Sequence, residues 1–309
     1  MELFLPIAHI DVNIALILLY GALVGFLSGL VGVGGGFLIT PLLIFTGVPP
    51  IVAVSSGAAQ MAGTAAGASY VQWRYGNVDV RMGAVLLIGS WLGGGGGVYL
   101  ANYLERGGQF GNVVIFLYVV LLGVIGAGML VESIRAILRR APVAAEGVPS
   151  ARRSLLQTIG EWLPGQISFP VSQVRMSVVV PLALGGIVGA LTSLMGVGGG
   201  FIMVPVMIYL LRMPTKIVVG TSLFQLLFTT AVVSVMQAGI NHAVDPFLAL
   251  VLILGSIVGT KWGAHLSVRL PAEKLRLILA LVVFGVAVKM VMTLVTPPAD
   301  SYALSVPVR

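Results

Sequence analysis

The stretch Gly21-Ala-Leu-Val-Gly25-Phe-Leu-Ser-Gly-Leu30-Val-Gly-Val-Gly-Gly-Gly36-Phe37-Leu-Ile-Thr-Pro41 recurs without a gap as Gly185-Gly-Ile-Val-Gly189-Ala-Leu-Thr-Ser-Leu194-Met-Gly-Val-Gly-Gly-Gly200-Phe201-Ile-Met-Val-Pro205. Twelve of these 21 positions are identical. Downstream the register continues: Pro49 meets Pro214, Ser56 meets Thr221, Gln60 meets Gln225, Asp79 meets Asp245, and Gly89 and Gly93 meet Gly255 and Gly259. Chance likeness between apolar stretches supplies scattered Leu and Val matches, not Gly, Pro and Gln in order. The chain is an internal duplication.

Each copy is built of membrane-length segments. Of 309 residues, 58% are hydrophobic and 9% charged, against about 25% charged in soluble domains. The apolar segments run roughly over 13–32, 36–48, 51–72, 82–103 and 112–134, then 176–196, 200–211, 215–237, 246–268 and 275–296. Runs of 18 or more apolar residues cross a hydrocarbon core about 30 Å thick. In lipid the backbone must be satisfied within each segment, so the expectation is an all-α integral membrane protein. The second and seventh segments are too short for an upright span and each follows a glycine cluster, so a broken or re-entrant helix is expected there. Residues 1–134 read as one transmembrane repeat, 135–175 as a linker rich in Arg and Pro, and 176–309 as the second repeat. A short amphipathic helix around 155–163 is compatible with the linker.

Lys and Arg orient the chain. With the N-terminus outside, the inner side receives 13 of them, including Arg74, Arg81, the linker arginines, Lys216 and Arg276, and the outer side only Arg106 and Arg309. This positive-inside bias places both termini in the periplasm or outside, and the linker in the cytoplasm, of an inner or plasma membrane. Five segments per unit make the two repeats inverted, an arrangement common in carriers that bind substrate near the midplane. The net charge of +7 lies in loops, without the basic stripe that nucleic-acid binding needs. Cysteine is absent, so there are neither disulfides nor thiolate metal sites. The N-terminal segment lacks the basic region of a cleaved signal peptide and reads as mature sequence. His9, His242 and His265 are scattered, which argues against an enzyme; no cofactor or metal is expected.

Candidate binding residues sit at the duplicated features. Gly34, Gly35, Gly36 and their counterparts Gly198, Gly199, Gly200 bring bare backbone close to a ligand, and a helix starting after such a loop suits an anion. Small residues also serve tight helix packing, the favoured role of Gly93–Gly97. Ser55, Ser56, Thr221 and Ser222 either cap their helices or face substrate. Gln60 and Gln225, a turn further in, either donate to substrate oxygens or join helices. Lys261 and Lys289 fall inside spans, where ionisable groups are costly. Lys261 shares a face with His265; it either faces the cavity or snorkels to the interface. No Asp or Glu falls near the centre of a span, which favours an anionic substrate.

The duplicated glycine pattern ending in Phe37…Pro41 and Phe201…Pro205, followed by the Ser/Thr-rich helices with Gln60 and Gln225, resembles the TauE/SafE family of sulfite exporters. The likeness covers the chain apart from termini and linker. It implies a secondary transporter of a small sulfur-containing anion such as sulfite, thiosulfate or an organosulfonate, most simply an exporter working by alternating access. Uptake of an organosulfonate is the alternative, and a non-transporting partner in a membrane complex a remote one. A coupling ion, proton or sodium, and a homo-oligomer remain open at this point.

Overall fold

A computed structural model describes residues 2–31, 36–139, 165–172, 174–211, 213–267 and 272–295. The first half opens with a hairpin of β1 (Glu2–Leu5) and β2 (Ile10–Asn13), then α1 (Ile14–Val31). A 3-10 turn at Gly36–Leu38 leads into the seven-residue α2 (Ile39–Phe45), followed by α3 (Pro50–Arg74), α4 (Val80–Arg106) and α5 (Phe110–Arg139). The second half repeats the order: β3 (Gln166–Phe169), β4 (Val174–Ser177), α6 (Val179–Met195), the short α7 (Gly200–Pro205) with a π turn Val206–Leu210, α8 (Thr215–Met236), α9 (Pro246–Ser267) and α10 (Ala272–Val295). Among the described residues, ten helices therefore stand where ten apolar segments are expected. The two β-hairpins were not foreseen, and the second starts inside the stretch read as linker. The region 155–163 lies outside the described residues.

Among the described residues, four stretches are long and apolar enough to cross a membrane: Val80–Arg106, Phe110–Gly128, Lys216–Asn241 and Pro246–Gly263. α3 is long enough too, but its Ala, Gly and Ser lower its hydropathy. The reason is its place in the bundle: nearly every residue from Ile51 to Met61 is buried against protein, where small side chains pack better than large ones.

Packing repeats as faithfully as sequence. α1 lies along α9, and α6 along α4. A Cβ on Gly21 or Gly25 would strike the Leu252 or Ser256 carbonyl, and one on Gly185 or Gly189 the Leu86 or Ser90 carbonyl. The partners reciprocate: Gly255, Gly259 and Gly263 face the backbone of α1, and Gly89 and Gly93 that of α6. Backbones this close need glycine on both sides, the small-residue packing of membrane helices. α5 pairs with α10, and α3 with α8 at the centre.

Two buried aspartates mark the ends. Asp79, before α4, accepts from Met82 N (3.0 Å) as a helix cap and from Ser172 N (2.9 Å) and Ser172 Oγ (2.5 Å) in the second hairpin. Asp245, before α9, accepts from Leu248 N (3.2 Å), Phe247 N (3.1 Å) and Ile7 N (3.2 Å) in the first hairpin. Their own amides are held reciprocally: Asp79 N donates to Thr221 Oγ1 near the start of α8, and Asp245 N to Ser56 Oγ near the start of α3, both at 3.0 Å. The start of each central helix thus meets the end of the other. α3 and α8 run antiparallel, and the two hairpins cap opposite ends of the bundle.

Candidate functional site

The residues that follow the two glycine motifs come together. Phe37, just after the first motif, stacks on Phe201, just after the second, with ring centroids 4.1 Å apart and planes 20° from parallel. Both rings are buried. Met61 of α3 covers both motifs: a Cβ on Gly36 or on Gly198 would run into its side chain. Gly34 and Gly35 lie outside the described residues. Gly36, Gly198, Gly199 and Gly200 are buried.

The second break is described in full. Gly196, Gly198 and Gly199 have φ of 67°, 68° and 71°, left-handed values that a residue with Cβ disfavours. They turn the chain from α6 back into α7. The carbonyls left open at the end of α6 are taken: Tyr118 Oη donates to Met195 O (2.6 Å), Gln237 Nε2 to Ser193 O (3.0 Å) and Gly196 N to Thr192 O (2.8 Å). At the start of α7, Gly200 N donates to Gly198 O, and Ile202 N and Met203 N to Gly199 O. These amides are turned inward onto the glycine carbonyls.

The hydroxyls and amides divide by role. Ser56 and Thr221 hold the Asp245 and Asp79 amides, so they fasten opposite ends of the two halves rather than capping their own helices. Ser222 Oγ returns to Val219 O at 3.1 Å. Ser55 Oγ is buried without a hydrogen-bond partner. Gln60 Nε2 donates to Ser256 Oγ (2.5 Å), and Gln225 Nε2 to Ser90 Oγ (2.7 Å). Ser90 and Ser256, which the sequence reading did not single out, are themselves repeat counterparts; the alignment of Gly89 and Gly93 with Gly255 and Gly259 already implies it.

Beside the first of these pairs is a small recess. α1 contributes Gly25 and Ser28, α3 Gln60 and Thr64, α9 Ser256 and Thr260. The Oε1 of Gln60 is buried with no partner. Lys261 follows Thr260 but is exposed and is not among the lining residues. Its neighbour Trp262 is 74% exposed. Lys289 sits over the Phe45 ring, 4.2 Å from its centroid. Among the described residues no three His, Cys, Asp or Glu side chains group to hold a metal.

The duplicated breaks, the stacked Phe pair and the paired Gln–Ser bonds span both halves, as does a family model. The model described as sulfite exporter TauE/SafE matches residues 17–290. The chain belongs to the TauE/SafE family. As a member it is a membrane transporter and not an enzyme. Relatives point the same way: a probable membrane transporter protein, YunE, of Bacillus subtilis is 25% identical over 90% of this chain and 97% of its own. A second from that organism, YjnA, is 27% identical over 89% and 98%, and one from Xylella fastidiosa 28% over 87% and 91%. No solved structure matches. A multi-pass TauE/SafE protein implies a bilayer around it and a solute to carry.

Proposed function

We propose that this protein carries a small sulfur-containing anion, such as sulfite, thiosulfate or an organosulfonate, outward across the inner membrane by alternating access. The observation that supports this best is the meeting of two glycine-broken hairpins at the stacked Phe37 and Phe201, between antiparallel central helices. Two such hairpins entering from opposite faces give two related arrangements of the same contacts, the geometry from which alternating carriers are built. In the bilayer the repeats are then inverted. Arg74, Arg81, Arg175 and Lys216 gather at the Asp79 end, which we assign to the cytoplasm; Arg106 lies at the other end of α4, on the side to which we assign both termini.

We assign substrate binding to the glycine breaks, Gly34–Gly36 and Gly198–Gly200. Ser55, with its unshared hydroxyl, follows Val54, whose backbone lies against Gly196. The two buried carboxylates do not oppose an anion there: Asp79 and Asp245 stand at the ends and their oxygens are engaged by N–H and O–H donors. One N–H each of Gln60 and Gln225 is given to Ser256 and Ser90, so both residues act first as joints between helices. An inside-negative potential of 100 mV favours exit of each negative charge by about 2.3 kcal/mol, in the direction of export.

The test is a current measurement. A sulfite concentration jump on protein-loaded membranes should give a saturable current that a chloride jump does not. Absence of any such current with sulfite, thiosulfate or sulfoacetate would refute the substrate assignment.

A further inference from the structure

The recess beside Gln60 is chemically one-sided. Ser256 Oγ donates to Leu252 O at 2.7 Å and accepts from Gln60 Nε2. Thr64 Oγ1 donates back to the carbonyls of Gln60 and Met61, at 3.2 Å each. The protons of both hydroxyls are spent on backbone. What they turn to the recess is lone pairs.

Gln60 makes the same point more strongly. Its side chain is 2% exposed and its Oε1 has no partner. Reversing the amide would set Oε1 against Ser256 Oγ, whose proton already points at Leu252 O. Two lone-pair oxygens would then face each other at 2.5 Å. The hydrogen bonds therefore fix Nε2 toward Ser256 and leave Oε1 as an unpaired acceptor on a residue that lines the recess. A buried, unsatisfied amide oxygen costs on the order of 1–3 kcal/mol unless something donates to or coordinates it. Ser28 and Thr260 add hydroxyl oxygens on the α1 and α9 walls. No ionisable residue lines the recess.

An anion needs several donors, and here one N–H of Gln60 and the protons of Thr64 and Ser256 are already given to protein acceptors. A divalent ion prefers carboxylates among its oxygen ligands, and there are none. A singly charged hard cation suits neutral oxygens from hydroxyls and an amide. We propose that the recess formed by Ser28, Gln60, Thr64, Ser256 and Thr260 is a sodium site that couples cation binding to the carrier. As a coupling site it rests on the anion-carrier reading; as a cation site it stands on its own.

The site also separates the two halves. The counterparts of Gln60, Thr64, Ser256 and Ser28 are Gln225, Thr229, Ser90 and Thr192, all able to offer oxygen, but Thr260 meets Gly94. The repeat thus retains the Gln–Ser joint twice and the fifth oxygen once. The proposal accordingly places one sodium ion in the first-half recess.

The experiment uses the full chain in detergent, with sodium chloride replacing choline chloride at constant ionic strength. Sodium should raise the thermal unfolding midpoint saturably while choline does not. Thr260→Val, which removes one oxygen and keeps the shape, should require about tenfold more sodium for the same shift, a loss of about 1.4 kcal/mol. Gln60→Leu should abolish the shift; if that variant fails to fold, Thr260→Val carries the test. Folded wild-type protein with no sodium shift overturns the proposal. So does a shift given by choline sulfite without sodium and lost in Thr260→Val, since the recess would then hold the anion. A sodium shift lost in Thr260→Val, in a protein that moves no sulfur anion, would uphold the cation site and sink the anion reading. Sulfite flux without a sodium effect would do the reverse.

Discussion

Phe37 and Phe201 occupy the same position in the two halves of the chain and stack on each other, 4.1 Å between centroids. Residues related by an internal duplication touch one another only on or beside the axis that relates the halves. The stack therefore marks where the two halves meet, and the second glycine break runs directly into Phe201. Replacing either ring by Ala should cost about 3–5 kcal/mol, the usual loss for a buried Phe. Of this, about 0.5–1.5 kcal/mol should be shared between the rings. A double-mutant cycle on thermal unfolding in detergent measures the shared part, and strict additivity would deny the contact.

The aspartate fastenings make a paired prediction. Asp79→Ala and Asp245→Ala each strand several buried N–H groups and should destabilise by about 3 kcal/mol or more. Ser172→Ala removes a single hydroxyl and should cost only about 1 kcal/mol. Thermal unfolding of the three variants checks this. A large effect at only one aspartate would mean that the two ends are not held alike.

Glycine positions separate by what a side chain would meet. Gly25→Leu and Gly189→Leu drive a branched chain into the carbonyls of Ser256 and Ser90 and should prevent accumulation of folded protein. Gly96→Leu, whose Cβ would meet nothing within 4 Å, should accumulate at wild-type level. Size-exclusion profiles of the detergent-extracted variants distinguish the cases.

Much of the fold was legible before the structure, and the reason is physical. In lipid, length and apolarity decide which segments are helices, so the ten helices fall within a few residues of the apolar runs. The hairpins were missed because Glu2–Asn13 and Gln166–Ser177 carry no strong period and are held by partners far away in sequence, Ile7 by Asp245 and Ser172 by Asp79, 238 and 93 residues apart. The alignment of Asp79 with Asp245 was visible; what each grips was not. Hydropathy likewise shows that Lys261 lies in a span but not which side it faces. Exposed Lys261 directly follows Thr260 at the recess, and only the packing of α1 and α3 against α9 decides between them. Gln60 showed itself as a polar side chain needing a partner, and that partner, Ser256, is 196 residues on.

The orientation is testable because the chain has no cysteine. A single cysteine replacing exposed Arg106 should react with an impermeant maleimide added to intact cells. One replacing exposed Arg81 should react only after the membrane is opened. The opposite pattern would reverse the assignment of the two ends.

The central claim is anion transport through the meeting point of the glycine breaks, and flux tests it most directly. Proteoliposomes would be loaded with labelled sulfite, thiosulfate or sulfoacetate and given a potential of either sign, with and without a sodium gradient, alongside Gly199→Leu in verified folded form. The account predicts saturable flux of at least one of these anions that follows the imposed potential and is lost in Gly199→Leu. Folded wild-type protein that moves none of them under any of these conditions, or a Gly199→Leu variant that transports as well as wild type, would contradict it.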